Sequence, residues 1–189
     1  MYQSMLYAFL RIETMFFPMV IKYLFPQKED RILEIGCNRG RLAQKVQKLA
    51  PQTYGIDLNK KAIDLGVTLN LQAMDATNLD FPDASFDKIY SVHTIEHVPN
   101  LKKVFSEMAR VLKKNGRILL VYPAEPIRGL FAVSSSLLLG RNPRQIHLHR
   151  LWPKKIINEF IQGTTLRHVE SKYAFFPFPP QYLTVLVKE

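Results

Sequence analysis

The sequence has a single cysteine and no long uninterrupted apolar run. Cys37 cannot form a disulfide within the chain, and one thiol cannot build a cysteine-rich zinc site, so the chain is compatible with a reducing cytosol. The most apolar stretch, residues 5–25, is interrupted by Pro18 and by three charged residues. It therefore falls short of the ~20 nearly uninterrupted apolar residues that a transmembrane helix needs.

The apolar start of the chain also lacks the order of a secretory signal, which is a basic front, an apolar centre and a small-residue cleavage site. We therefore expect a cytoplasmic protein. Residues 1–26 are predicted to form a lid of one or two amphipathic helices that packs on the domain. The alternative for this segment is shallow contact with a membrane, which would make the protein peripheral to the bilayer.

Acidic residues are scarce, because 16 Asp and Glu stand against 26 Lys and Arg and leave a net charge of +10. Such a charge attracts polyanions, and both nucleic acids and anionic lipid surfaces fit that description. The basic residues form no run of five or more, and aromatic-studded basic strands are absent. Nucleic acid is therefore the disfavoured partner.

The length of the chain limits the number of domains. A chain of 189 residues buries roughly 70% of its unfolded surface, which is enough for one sizeable core and too little for two. With 47% hydrophobic residues, nothing indicates disorder or low complexity. We predict a single domain over residues 1–189.

Between residues 31 and 122, short β-rich runs alternate with helical patterns, which is typical of a doubly wound parallel sheet. The third helix of this series carries its apolar residues on one stripe, and Gly116 is expected to end it. Further along, a helix and a two-stranded hairpin are expected to close the sheet with an antiparallel edge. We thus predict an α/β, Rossmann-like fold with a mostly parallel seven-stranded sheet and a helical N-terminal lid. The predicted strands are 31–35, 53–57, 71–74, 86–92, 117–122, 165–175 and 181–188, and the predicted helices are 41–49, 60–68, 101–113 and 152–161.

The first predicted strand runs directly into a glycine-spaced turn, Gly36-x-x-x-Gly40, and then into a helix. Glycine suits a sharp turn that a ligand approaches closely, and Asn38 is among the few other residues that tolerate positive φ. Asp57 ends the second strand beside this turn, where its carboxylate would accept hydrogen bonds from both hydroxyls of a ribose. The arrangement predicts a nucleotide-like ligand.

A dinucleotide is the less suitable ligand for this turn. Its fingerprint starting at Gly36 would need glycine two and five positions later, where this chain has Asn38 and Arg41. Glu34, just before the turn, would repel a diphosphate but suits the cationic sulfonium and the amino group of S-adenosylmethionine. The residues therefore favour a methyl-donor site.

Five motifs follow one another along this part of the chain. They are Ile32-Leu-Glu-Ile-Gly-Cys-Asn-Arg-Gly40, Tyr54-Gly-Ile-Asp57, Met74-Asp-Ala-Thr77, Phe81-Pro-Asp-Ala-Ser-Phe-Asp87 and Ala109-Arg-Val-Leu-Lys-Lys-Asn-Gly116. In this order they resemble the class I S-adenosylmethionine-dependent methyltransferases of the type 11 methyltransferase domain family, which act mostly on small molecules. The resemblance implies an enzyme that uses S-adenosyl-L-methionine and releases S-adenosyl-L-homocysteine.

The resemblance also implies a role for each matching position. Around the methionine part of the donor it places Glu34, Gly36, Cys37 and Gly40, with Asn38 where a third glycine is frequent. It places Asp57 on the ribose, Leu58 against the adenine face, Asp75 on the adenine amino group with the backbone N–H of Ala76, and His93 at the methionine end. Residues 31–123 would then form the donor-binding core, 124–150 a substrate-side loop or cover, and 151–189 the C-terminal helix and hairpin.

The segment His93-Thr-Ile-Glu-His97 has a second interpretation, because His-x-x-Glu-His is also the inverted zinc-protease motif. In a zinc hydrolase both histidines would lie on one helical face and bind the metal. Val98-Pro-Asn100 would stop such a helix after about one turn, and the sequence offers no identifiable third ligand. We therefore expect no metal and assign His93 to contact with substrate or donor.

Methyl transfer from a sulfonium is an in-line displacement, so alignment and exclusion of water are the main tasks of the protein. A general base is needed only if the acceptor must lose a proton. The candidates for a catalytic role are His147 and His93. His147 lies in Ile146-His-Leu-His-Arg-Leu-Trp-Pro153, which resembles a family segment that places a histidine just before the substrate-side helix.

Only the composition of three apolar stretches indicates the acceptor. The N-terminal segment and residues 130–139 and 173–178 supply an apolar and aromatic cover, which suits an apolar or aromatic small molecule or a lipid. Two other functions remain open at this point: methylation of RNA, and a non-catalytic binding or partner module that retains the fold.

Overall fold

A computed structural model of the protein describes residues 15–124, 149–174 and 180–189. The strands are β1 Ile32–Ile35, β2 Thr53–Asp57, β3 Leu71–Ala73, β4 Phe86–Val92, β5 Leu112–Pro123, β6 Leu166–Ala174 and β7 Gln181–Lys188, and the helices are α1 Phe17–Leu24, α2 Arg41–Val46, α3 Lys60–Asp64, α4 Leu101–Val111 and α5 Pro153–Lys155. A 3₁₀ turn spans Ile95–His97, and a π-helical turn, Ile156–Phe160, continues α5.

The seven strands form one sheet in the order β3-β2-β1-β4-β5-β7-β6. Neighbours from β3 to β5 pair in parallel, whereas β7 lies antiparallel between β5 and β6. The predicted α/β fold with an antiparallel C-terminal edge is thereby confirmed. The chain leaves β1 toward β2 and β3 and then returns to the other side of β1 with β4. Such a reversal opens a crevice at the carboxyl ends of the strands, where ligands of open α/β sheets bind.

The sheet separates two apolar cores. On one face α4 buries the stripe that its spacing predicts, and on the other α1 packs against β5 and β7. Of the predicted lid, residues 1–26, the described part is thus a helix seated on the sheet. No helix in the described part of the chain is long and apolar enough to cross a bilayer. The buried residues of these two helices are Leu101, Val104, Phe105, Met108, Ala109 and Val111 of α4, and Val20 and Leu24 of α1.

The boundary between α4 and β5 differs from the prediction. The helix ends at Val111 rather than at residue 113, and Gly116 lies within β5 instead of ending the helix. Leu112 already has extended backbone, with φ −77° and ψ 136°, and pairs with Phe86 in β4. The next pair is Lys88 with Arg117, so residues 113–116 bulge out of the ladder. A Cβ on Gly116 would lie 2.7 Å from the Leu112 side chain, which explains the glycine by close contact.

Other predicted helices are shorter than expected. Helix α2 ends at Val46 instead of residue 49, and α3 ends at Asp64 instead of residue 68. The end of α3 is fixed locally, because Gly66 N–H donates to Ile63 O at 2.8 Å and turns the chain away. The predicted substrate-side segment, 124–150, lies outside the described residues except at its two ends.

Candidate functional site

A cavity of about 730 Å³ opens at the carboxyl ends of β1, β2 and β4. Nearly all residues predicted to bind the donor meet there. Gly40 does not line the cavity, since it is the residue before α2, and a Cβ on it would lie 2.7 Å from the Leu71 side chain. The predicted residues that line the cavity are Glu34, Gly36, Cys37, Asn38, Asp57, Leu58, Asp75, Ala76 and His93.

The turn after β1 has left-handed backbone at three positions. Gly36 has φ 81°, Asn38 has φ 51° and Gly40 has φ 73°, so asparagine takes the positive φ expected of it. At Gly36 a second constraint applies, because a Cβ would lie only 2.0 Å from Thr94 Oγ1. The turn after β1 and the turn after β4 therefore touch, and they bring His93 and Thr94 to the same wall as the glycine turn.

Asp57 is held by backbone donors on both sides of its carboxylate. Asn38 N–H donates to Oδ2 at 2.8 Å, and Asn59 N–H donates to Oδ1 at 2.8 Å. Each carboxylate oxygen has lone pairs for more than one donor. The side chain thus already has a fixed orientation toward the cavity, and its oxygens retain capacity for the two hydroxyls of a ribose.

Glu34 is a buried carboxylate in the cavity wall, with 4% of its surface exposed. The hydroxyl of Tyr90, in the neighbouring strand β4, donates to its Oε2 at 3.0 Å. Burial, together with the adjacent charge of Glu34, raises the pKa of Tyr90 well above its usual value of 10.0. Tyr90 therefore stays protonated and serves as a permanent donor that orients Glu34.

The far end of the cavity is formed by the turn after β3. Asp75 Oδ1 accepts the N–H of Thr77 at 2.8 Å, and Ala76 and Met74 line the wall beside it. Leu58, which follows β2, is 75% exposed and lies over the same end. An apolar side chain can pack on the face of a planar base, while polar groups beside it form hydrogen bonds with the amino group of the base.

His93 follows β4 with a left-handed backbone, φ 52°, and contacts three different parts of the fold. Its Nε2 lies 3.0 Å from Oε1 of the fully buried Gln181, its Nδ1 lies 3.5 Å from Glu96 Oε1, and its ring centroid lies 5.2 Å from that of Phe16. The imidazole is therefore fixed at the cavity wall that faces α1.

Glu96 is the functional candidate that sequence reasoning missed. It is 1% exposed, and among the described residues its Oε1 lies 3.5 Å from His93 Nδ1 and 3.8 Å from His97 Nε2. Burial works to raise the pKa of Glu96, but its interactions with the two imidazoles outweigh burial and lower the pKa. The motif His93-Thr-Ile-Glu-His97 does not indicate that Glu96 is buried, because its burial depends on how this turn packs against β5.

The zinc interpretation requires both histidines on one helical face, and the structure has a single 3₁₀ turn at Ile95–His97. His93, which precedes this turn, and His97, its last residue, both face Glu96. Within residues 15–124, 149–174 and 180–189, no group of three His, Cys, Asp or Glu side chains lies close enough together to hold a metal ion.

His147, the other catalytic candidate, lies outside the described residues. Its neighbour His149 is described and has a structural position. The backbone N–H of His149 donates to Glu96 O at 3.1 Å, and its Nε2 lies 2.9 Å from Val98 O. His149 therefore ties the chain before α5 to the turn that carries Glu96.

The fold and the carboxylate-lined crevice agree with an assignment to the class I S-adenosylmethionine-dependent methyltransferases, which the sequence motifs resemble. Residues 33–120 match the type 11 family model, which is described as a methyltransferase domain.

Known proteins similar to this chain agree with that assignment. An uncharacterized methyltransferase of Bacillus subtilis (strain 168), YcgJ, is 31% identical over 121 residues, which are 58% of this chain and 48% of the relative. A phosphatidylethanolamine N-methyltransferase of Cereibacter sphaeroides is 34% identical over 101 residues, 48% of this chain and 49% of the relative. The chain thus spans about half the length of these curated relatives. The crystal structure of Bacillus YcgJ shares the fold, with a TM-score of 0.71 at 19% identity, covering 92% of this chain and 97% of that one.

Proposed function

We propose that this protein transfers a methyl group from S-adenosylmethionine to an apolar or aromatic small molecule or a lipid. The observation that carries the proposal is the set of three carboxylates, Glu34, Asp57 and Asp75, spaced along one cavity at the ends of three neighbouring strands.

The residues of the cavity fit this donor. A buried carboxylate at Glu34 suits a cationic group, and it would disfavour a diphosphate. Asp57 presents a carboxylate that backbone donors already orient, which suits two vicinal hydroxyls. Gly36 lines the cavity, and the space that its side chain would take is filled by Thr94 of the same wall.

When bound, S-adenosylmethionine supplies a methyl group on a sulfonium, which departs as a neutral thioether. The chain's own residues would do the positioning. Glu34 would hold the methionine end, Asp57 the ribose, and the Asp75 turn the adenine. With donor and acceptor held in this geometry, the bimolecular displacement becomes effectively unimolecular, and water is kept from the reacting methyl carbon.

The apolar side chains of the cavity suit an acceptor with an apolar body. Phe16, Val92 and Val98 line this part of the cavity wall together with the imidazoles of His93 and His97. A histidine at this wall could accept a proton from an acceptor hydroxyl, because imidazole titrates near neutral pH. We include His93 and His147 in the proposal as the residues that contact the acceptor.

A lipid acceptor has support from two directions. The Cereibacter relative carries the name of an enzyme acting on phosphatidylethanolamine, and the net charge of +10 suits an anionic lipid surface. Peripheral contact with a membrane would bring such an acceptor to the cavity.

The test incubates purified protein and methyl-labelled S-adenosylmethionine in three separate reactions. One reaction contains a total lipid extract, one a polar metabolite extract and one total RNA. We expect label in a lipid or apolar small molecule, together with release of S-adenosylhomocysteine. Label in RNA alone would replace the proposed acceptor by nucleic acid. Binding of S-adenosylhomocysteine without transfer to any fraction would leave the non-catalytic module as the better description.

A further inference from the structure

The outer face of α1 exposes apolar side chains beside a lysine. Val20 and Leu24 are buried beneath the helix, whereas Ile21 is 37% exposed and Phe25, which follows the last helical residue, is 56% exposed. Ile21 and Phe25 are four positions apart and so lie on one side of the helix. Lys22 lies exposed next to them. Below, Ile21, Lys22 and Phe25 are called the α1 face.

Phe25 holds its exposed ring in an uncommon backbone conformation. Its φ is 50°, in the left-handed region, and its N–H donates to Ile21 O at 2.9 Å as the helix cap. Glycine is the ordinary residue for such a cap, and a bulky aromatic residue is rare there. The backbone at this position therefore does not favour a phenyl ring, and 56% of Phe25 remains exposed.

Cationic side chains from three other elements surround the rings of α1. Lys45 of α2 lies 5.7 Å from the Phe17 ring centroid, Arg117 of β5 lies 5.7 Å from that of Phe25, and Lys172 of β6 lies 5.4 Å from that of Tyr23. Lys22 lies 5.5 Å from the Tyr23 ring centroid as well.

Few carboxylates offset this charge. Helix α1 contains no acidic residue. Glu170 is paired with Lys172 at 2.8 Å, and Asp30, beyond Phe25, is paired with Lys88. The α1 face is thus an apolar patch within a basic border, and this combination is typical of segments that lie in the interface of an anionic bilayer.

The same helix reaches the cavity. Phe16, the residue before α1, lines the cavity wall and packs on His93. A surface that holds the outer side of α1 would therefore lie next to the acceptor side of the cavity.

We propose that the α1 face docks on anionic lipid bilayers, with Ile21 and Phe25 entering the headgroup region and Lys22 and Arg117 contacting lipid phosphates. This inference deepens the proposed function, since it rests on a lipid acceptor and states how the enzyme reaches it. Docking itself does not require methyl transfer.

The test measures co-sedimentation of the full chain with phosphatidylcholine vesicles, with and without phosphatidylglycerol. Wild-type protein should bind the anionic vesicles and be released by salt. Replacing Lys22 with glutamine should weaken binding by roughly fivefold, the effect of one lysine near the surface. The matched control, Lys102→Gln, changes an exposed lysine of α4 on the opposite face of the sheet and should bind as wild type does.

A second variant protects the test against misfolding. Phe25→Gly removes the ring at a position whose backbone glycine adopts readily, so it should fold normally and still bind vesicles several-fold more weakly. Absence of wild-type binding to anionic vesicles, or equal losses in the α4 control, would overturn the proposal. Binding of an RNA oligonucleotide in place of vesicles would overturn it too.

Calorimetry with S-adenosylhomocysteine on the same samples separates the two proposals. Loss of vesicle binding with unchanged binding of S-adenosylhomocysteine is the expected result for the α1-face variants. Vesicle binding by a protein that does not bind S-adenosylhomocysteine would leave docking standing and refute the donor assignment.

Discussion

Asp57 is the residue whose loss should affect the donor most directly. Asp57→Ala removes a carboxylate that two backbone N–H groups hold in place. Losing charge-assisted hydrogen bonds to two hydroxyls should weaken binding of S-adenosylhomocysteine by about 10-fold or more, as measured by isothermal titration calorimetry. Asp64→Ala, at an exposed carboxylate in the neighbouring helix α3, is the matched control and should leave the affinity unchanged. An unaltered affinity in a folded Asp57→Ala protein would show that the ribose lies elsewhere.

Gly36 and Gly163 allow two requirements for glycine to be compared: a left-handed backbone and a lack of space for a Cβ. Both have left-handed backbone, with φ 81° and 78°, but a Cβ on Gly36 would lie 2.0 Å from Thr94 Oγ1, whereas nothing lies within 4 Å of one on Gly163. Gly163→Ala should lower the free energy of unfolding by only ~1–2 kcal/mol, the cost of the backbone conformation. Gly36→Ala should cost roughly 1–3 kcal/mol more, because Thr94 must move. Urea denaturation measures both, and equal losses would contradict the contact with Thr94.

The sequence could not predict which buried residues form hydrogen bonds with the charged side chains of the site. The carboxylate at Glu34 was expected from its position before the glycine turn, but Tyr90, which donates to it, is 56 residues away. The two residues meet because β1 and β4 pair in parallel and place them in register. Only the order of strands across the sheet creates this contact, and periodicity within one strand carries no information about that order.

At the scale of elements, one arginine ties helix α4 to the loop that follows the Asp75 turn. Arg110 donates to the carbonyls of Leu79 and Phe81 at 2.8 Å each and to Glu107, which in turn accepts the N–H of Leu79 at 2.8 Å. The hydrogen bonds from Arg110 lower the pKa of Glu107 below its usual 4.5, and partial burial opposes them. The clamp thus holds residues 79–83 against α4.

Glu107→Gln should lower the free energy of unfolding by about 1–2 kcal/mol at neutral pH, since the charge-assisted hydrogen bonds are weakened. The folded-state pKa is lowered, so this contribution is complete above pH 4.5 and disappears as the pH falls through the folded-state value. Urea unfolding should therefore show a gap between wild type and variant that narrows in acid. Glu159→Gln, at an exposed carboxylate, serves as the control with no gap at any pH. A gap that persists in acid would show that ionisation of Glu107 is not its source.

The central strands were predictable as elements, and the ends of the helices were less so. Strands β2, β4 and β7 lie at the residues that alternation and flanking turns predict, because those signals are local. The start of β5 was placed five residues late, since the Leu112–Gly116 contact and the bulge opposite Phe86 depend on pairing with β4.

At the scale of the molecule, the order of elements along the chain was enough to predict the sheet and the crevice. The alternation of strands and helices implies a doubly wound sheet, and the rule that ligands bind at the carboxyl ends of its strands places Asp57 and Asp75 on the same cavity. The surroundings of His93 were harder to foresee, because they draw on Phe16 and on Gln181 at the start of β7. Residues so distant in sequence give no shared motif.

The position of β7 sets an order of events during folding. In the described sheet β6 pairs with β7, which follows it in sequence and lies between β5 and β6. Until residues 181–188 are free to fold, β6 therefore has no neighbouring strand in this sheet, and β5 presents an unpaired apolar edge. We expect β6 and β7 to join the sheet together, and His93 acquires its Gln181 contact only when they do.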